Sequence, residues 1–268
     1  VNPLVQPALR PVIAHRGASA EAPENTMAAF ELAVRRGADA IELDVRLTAD
    51  GMPVVIHDAT LDRTTDRRGA VASRTLDALQ AADGGARFTR DGGRTFPWRG
   101  RGVRVPALAE VLEVLPGTPL LIEIKDPAAQ TAVRKVIAER GAEGRCVVAA
   151  TLARALDAFR TQPFLLGASR RDIARLWIAA TLGLPTSQVA YRLLAVPLRH
   201  RGLVVPTERF LAAAARLACP VHVWTVNDPG VAITLWRRGV SGILTDAPAV
   251  MLSARASLQP DDLPSFPT

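Results

Sequence analysis

Ala40-Ile41-Glu42-Leu43-Asp44-Val45 alternates apolar residues with two carboxylates. Side chains two apart on a strand share a face, so Glu42 and Asp44 point one way and Ile41, Leu43 and Val45 the other. A second stretch, Leu121-Ile122-Glu123-Ile124-Lys125, repeats the pattern with Glu123 and Lys125. Ionised groups in an apolar interior are costly unless they are paired or bound to metal. Three carboxylates and a lysine, framed by Ile, Leu and Val, therefore read as the floor of a metal-dependent site inside a barrel.

Outward from these two strands, the chain alternates strand and helix patterns. Strands are predicted at 12–14, 40–47, 53–56, 119–124, 146–149, 164–166, 221–224 and 242–244. Helices are predicted at 25–36, 107–115, 128–140, 152–159, 208–217 and 230–237. Such alternation implies parallel pairing through right-handed crossovers. The expected class is α/β and the expected architecture a closed TIM (β/α)₈ barrel, with an open doubly wound sheet as the alternative. Residues 59–106 have little periodicity and read as a small inserted subdomain on the active-site side of one catalytic domain spanning 1–258. Residues 167–205 are apolar and helical in their first half. The Pro-rich, polar tail from 259 to 268 is expected to be disordered.

The 268-residue chain is 49% hydrophobic and carries a net charge of +7. That length suits an α/β barrel, and the charge favours anionic ligands or anionic membrane surfaces. The arginines are scattered rather than gathered in a tract, so nucleic acid is not an expected partner. Cys146 and Cys219 sit in apolar surroundings without metal-ligand spacing and read as reduced core residues. No signal peptide or membrane span is evident in the chain, which points to a cytoplasmic location with peripheral membrane contact left open. The sequence is silent on oligomeric state.

Catalytic groups of such barrels gather at the C-terminal ends of the strands. His15 and Arg16 end the first strand, Glu42 and Asp44 line the second, His57 and Asp58 end the third, and Glu123 and Lys125 follow the insertion. Two of the four histidines of the chain thus occupy strand ends beside a carboxylate cluster. Only two of its 33 basic residues are lysines, Lys125 and Lys135. A lysine kept beside a carboxylate in an arginine-rich chain does something a planar guanidinium does not.

The ordered set of motifs resembles the glycerophosphodiester phosphodiesterase family. It runs through His15-Arg16-Gly17, Pro23-Glu24-Asn25-Thr26, Gly37 to Val45, Val54-Val55-Ile56-His57-Asp58, Leu61-Asp62-Arg63-Thr64-Thr65, Glu123-Ile124-Lys125, Val223-Trp224-Thr225-Val226-Asn227 and Gly242 to Pro248. The resemblance implies a TIM barrel with a small inserted subdomain that hydrolyses the diester between glycerol 3-phosphate and an alcohol. It implies Glu42, Asp44 and Glu123 as ligands of one divalent cation. All-oxygen ligation suits Mg²⁺ or Ca²⁺, with Mn²⁺ a further candidate. It implies His15 and His57 as the general acid/base pair, and Arg16, Lys125 and Trp224 as substrate-binding residues.

The rest of the site is read from local pattern. Asn25 or Thr26 caps the helix that follows or serves the site. Asp246 reads as the N-cap of the last helix, His222 as non-catalytic and His200 as a surface residue. The insertion and the segment 175–196 are expected to border the mouth. A mostly polar entrance would favour soluble deacylated diesters such as glycerophosphocholine. The alternatives are a lysophospholipase D- or sphingomyelinase D-like activity on lipids, and a non-catalytic phospholipid- or phosphate-binding barrel.

Overall fold

The computed structural model describes residues 1–259 of the 268. The tail expected to be disordered therefore lies, apart from Gln259, outside the described residues. In chain order the elements are β1 (Val12–His15), α1 (Met27–Arg35), β2 (Ala40–Leu47), β3 (Pro53–Val55), α2 (Leu76–Gln80), α3 (Leu108–Val114), β4 (Leu120–Ile124), α4 (Gln130–Glu139), β5 (Cys146–Ala149) and β6 (Leu165–Leu166). There follow α5 (Arg170–Leu182), β7 (Leu194–Pro197), the hairpin β8 (Arg199–His200) and β9 (Leu203–Val204), α6 (Glu208–Arg216), β10 (Val221–Trp224), α7 (Pro229–Arg237), β11 (Gly242–Thr245) and α8 (Pro248–Ala256).

Eight strands pair side by side in parallel, in the order β6-β5-β4-β2-β1-β11-β10-β7. The two ends meet. Gly167, just past β6, bridges Leu193, just before β7. The amide of Ala168 donates to Leu193 O at 2.9 Å and that of Arg192 to Leu166 O at 2.7 Å. These bonds close a TIM barrel with no free edge.

Two expectations change. The segment at 53–56 is not a barrel stave: β3 pairs antiparallel with β2, with Val45 opposite Val55. The reason is length, because the few residues between Leu47 and Pro53 make a hairpin but are too few for a parallel crossover. The missing stave is β7, within the stretch whose second half had no clear pattern. The helix expected at 152–159 is a run of 3₁₀ turns from Ala153 to Phe159.

Side chains divide by strand alternation. Val12, Ala14, Ile41, Leu43, Val45, Ile122, Ile124, Val148 and Val223 face the surrounding helices in two apolar layers. Ile13, Ala40, Leu121, Val147 and Leu244 point into the barrel. Leu4, fully buried in an N-terminal turn, joins this inner cluster and corks the far end. Fully buried His222 donates from Nε2 to Leu4 O at 2.8 Å. It helps hold the cork, in keeping with its non-catalytic reading.

The insertion packs Leu61, Val71, Leu79 and Val105 against Val54 and Ile56 of the β3 hairpin, forming a small core of its own. Both cysteines are free and buried. No helix among the described residues is long and apolar enough to cross a membrane.

Candidate active site

The β1–α1 turn sets the first group. Arg16 and Gly17 both take positive φ, 57° and 86°. A Cβ on Gly17 would lie 2.7 Å from the Ala29 backbone, so only glycine lets α1 approach so closely. For Arg16 the left-handed conformation costs on the order of 1 kcal/mol. Its amide is held in return by Glu42, donating to the main-chain O at 2.9 Å and to Oε2 at 3.1 Å. Thr26 caps α1 by accepting from the Ala29 amide at 3.3 Å. Asn25 instead donates to Asp44 Oδ2 at 2.8 Å. One of the two candidate caps thus serves the helix and the other the site.

Strands β2 and β4 run in register, with Asp44 opposite Glu123. The register brings the three predicted carboxylates together: oxygens of Glu42, Asp44 and Glu123 lie within 4.8 Å of one another. Glu42 and Asp44 are buried. Burial, and then the charge of Asp44, push the Glu42 carboxyl up to about 8. Burial acts on Asp44 in the same direction, but Lys125 and Arg16 outweigh it and hold the group below its ordinary value. Asp44 Oδ1 is buried without a well-directed hydrogen bond, although Lys125 Nζ is 2.9 Å away. Three converging carboxylates with an oxygen left short of donors form a donor set that fits a hard divalent cation.

Lys125 Nζ lies 2.9 Å from Asp44 Oδ1 and 2.8 Å from Glu123 Oε2, so its partners in this structure are carboxylates. Arg16 lies between Asp44 (Nε to Oδ2, 3.1 Å) and Glu24 (Nη1 to Oε1, 2.8 Å). Thr151, after β5, donates to Glu123 Oε1 at 3.1 Å. Nothing in its local sequence marks that threonine.

The histidines are each held by an aspartate. His15 Nδ1 lies 2.8 Å from Asp246 Oδ1. Asp246 also accepts from Ser19 Oγ at 2.9 Å and Asn227 Nδ2 at 2.7 Å. It is not a helix cap, since the residue at the head of α8 is Ala247. Burial pulls the His15 pKa down, but the bond to Asp246 and the nearby charge of Glu42 leave it raised. With Asp246 ionised, Nδ1 carries the proton and Nε2 faces Glu42 Oε2 at 4.0 Å. His57 Nδ1 lies 2.7 Å from Asp58 Oδ1. Arg63, at the start of the insertion, donates to both Asp58 and Glu24 and so links the two flanks of the site. Its hydrogen bond drives Asp58 well below the usual carboxylate range.

All eight predicted site residues line one cavity of about 610 Å³. Trp224, at the end of β10, is 42% exposed at its rim. His200 lies on the same rim, exposed, from the β8–β9 hairpin. A floor of clustered acids, two oriented imidazoles and flanking cations can bind an anionic ester, transfer protons on both sides of a bond, and hold a cation between them.

The chain is similar to known proteins in sequence and in fold. Residues 15–250 match the Glycerophosphoryl diester phosphodiesterase family. A glycerophosphodiester phosphodiesterase of Caldanaerobacter subterraneus is 34% identical over 251 residues, covering 90% of this chain and 96% of that protein. The structure of an Oleispira antarctica phosphodiesterase, in complex with its product sn-glycerol-3-phosphate, is similar with a TM-score of 0.74 at 26% identity, over 92% of this chain and 97% of that one. The glycerophosphoryl diester phosphodiesterase domain of a Mycobacterium tuberculosis protein shares the fold with a TM-score of 0.82 at 23% identity, over 93% of this chain and 99% of that one.

Proposed function

The chain belongs to the glycerophosphoryl diester phosphodiesterase family, and from that premise we propose that it hydrolyses glycerophosphodiesters to glycerol 3-phosphate and an alcohol, with His15 and His57 as its acid/base pair. The observation that carries the proposal is the meeting of both aspartate-held histidines with the three-carboxylate cluster in one cavity.

Each group has a task. A phosphodiester is anionic and repels nucleophiles. Arg16 supplies positive potential at the cavity wall, and Lys125 pairs with Glu123 and keeps Asp44 ionised. Glu42, Asp44 and Glu123 would hold one divalent cation, with Mg²⁺ or Ca²⁺ matching their oxygen donors. Held there, such an ion would supply neutralisation of the negative charge that builds up in the transition state.

One imidazole accepts the proton of the attacking hydroxyl, of water or of the substrate's own glycerol, while the phosphorus–oxygen bond to it forms; in the second case water then opens the cyclic phosphate. The other donates a proton to the departing alkoxide while its bond to phosphorus breaks. Asp246 fixes the His15 tautomer so that Nε2 is the exchanging atom. Trp224 offers an aromatic face to the organic part of the substrate.

The test is release of glycerol 3-phosphate from a panel of glycerophosphodiesters by the purified protein, with and without EDTA. Release with Mg²⁺ or Ca²⁺ and its loss in EDTA are expected. Absence of release from every diester, with either ion present, would overturn the reading.

A further inference from the structure

The cavity is divided in two. Its carboxylates, Arg16, Lys125, His15 and His57 sit on the side of β1, β2 and β4, and most of the opposite wall is apolar. That wall has two sources. Helix α5 contributes Ile173, Ala174, Trp177 and Ile178, which with Arg170 recur at helical spacing along one stripe. Leu176 and Ala180, the buried residues of α5, lie off this stripe; Ile173 and Trp177 touch both the barrel core and the cavity, and Ile178 is exposed. The β7 end and the β8–β9 hairpin contribute Ala195, Pro197, Leu203 and Val205. Ile178 and Leu203 are 51% and 58% exposed, an apolar investment that barrel packing does not require.

Glycerophosphocholine and similar deacylated diesters have no apolar part to place there. The inserted segment, which had suggested a polar entrance, supplies none of the lining. The apolar residues and the charged site line one and the same cavity, which Arg170 and His200 also line.

We infer that the apolar half of the cavity seats the single aliphatic chain of a glycerophosphodiester substrate, so that chain-bearing diesters are preferred over deacylated ones. This rests on the proposed hydrolysis and names its substrate class. A flat surface of the same composition would suit a bilayer. A concave wall continuous with the reacting groups suits one chain of one substrate molecule.

The test is a chain-length series of 1-acyl-glycerophosphocholines, from butanoyl to octanoyl, each kept below its aggregation concentration and compared with glycerophosphocholine. A second arm carries the chain on the leaving alcohol instead of on the glycerol. In at least one arm kcat/KM should climb by up to about fourfold per methylene, the effect of burying that group, and the arm that climbs identifies which end bears the chain.

Ile178→Glu and Leu203→Glu place a carboxylate in the groove at exposed positions and should flatten the slope. Leu182→Glu, more exposed still and outside the cavity lining, should not. A flat series in both arms, or a slope flattened equally by Leu182→Glu, would overturn the inference. So would an advantage that appears only above the aggregation concentration or with anionic vesicles.

Binding is read separately from turnover, through fluorescence of Trp177 and Trp224 with the same acyl series in EDTA. Affinity rising with chain length while no diester is hydrolysed would remove the proposed reaction and keep the groove. Affinity independent of chain length would remove the groove and leave the reaction standing.

Discussion

His15 and Asp246 lie 231 positions apart in the chain, yet their side chains meet at 2.8 Å across the β1–β11 seam of the barrel. The carboxylate fixes the tautomer of the neutral imidazole, and it raises the His15 pKa. Asp246→Asn should therefore shift the limb of the kcat/KM–pH profile that reports His15 toward lower pH, whether His15 serves as acid or base. A pH-rate profile with an unmoved limb would assign Asp246 a purely structural part.

His15→Ala and His57→Ala should each lower kcat by roughly 10²-fold or more, the usual scale for a general acid or base. Both side chains sit at the mouth, so thermal unfolding should change little. Steady-state kinetics and a melting curve on the same preparations check both statements.

Lys125→Arg should be damaging although it conserves charge. The ammonium lies 2.9 Å and 2.8 Å from Asp44 and Glu123, in a gap between two carboxylates that a wider planar fork does not match. A fall in kcat of about tenfold or more is the expected outcome, on the same scale of general loss of a positioned group. Full activity would make the scarcity of lysine an accident of composition.

Mg²⁺ or Ca²⁺ should raise the melting temperature, since an ion held only by the folded chain stabilises it by about 2.7 kcal/mol at a hundred times its Kd. The gain should grow as pH rises through about 8, where Glu42 gives up its proton. Glu42→Gln should remove most of the increment. Differential scanning calorimetry with and without EDTA decides this.

His222 gives a second pH signature. Burial lowers its pKa to about 4, against an ordinary value of about 6.5. Above both values the ring is neutral whether folded or unfolded, and stability is at its full level. As pH falls from 6.5 toward 4 only the unfolded chain gains the proton, so stability drops by ~3 kcal/mol across that window. Urea titrations of the wild type and His222→Gln should diverge there, with a shallower pH slope in the variant.

The carboxylate-bearing strands were readable because alternation is a local property: Glu42 and Asp44 share a face wherever β2 lies. The same holds for Glu123 with Lys125, and for the strand-end histidines. Asp246 and Thr151 were not readable, because their roles depend on which strands become neighbours when the barrel closes. The β3 hairpin was mistaken for a stave although the short link from Leu47 to Pro53 already ruled out a crossover. Strand β7 escaped notice because Leu194–Pro197 ends in a proline and leads directly into a second hairpin rather than into a helix. The apolar wall was hidden for a related reason: apolar residues of α5 face both the barrel core and the cavity, Ile173 and Trp177 touching both, and this blurs its periodicity.

The Leu4 cork makes the barrel a cul-de-sac. With the far end shut by an apolar cluster around Leu4, Ile13, Leu121 and Leu244, everything that enters by the mouth departs by it. Neither product can leave through the floor, so both must pass back across the residues that admitted the diester, and a change at the mouth acts on entry and release alike.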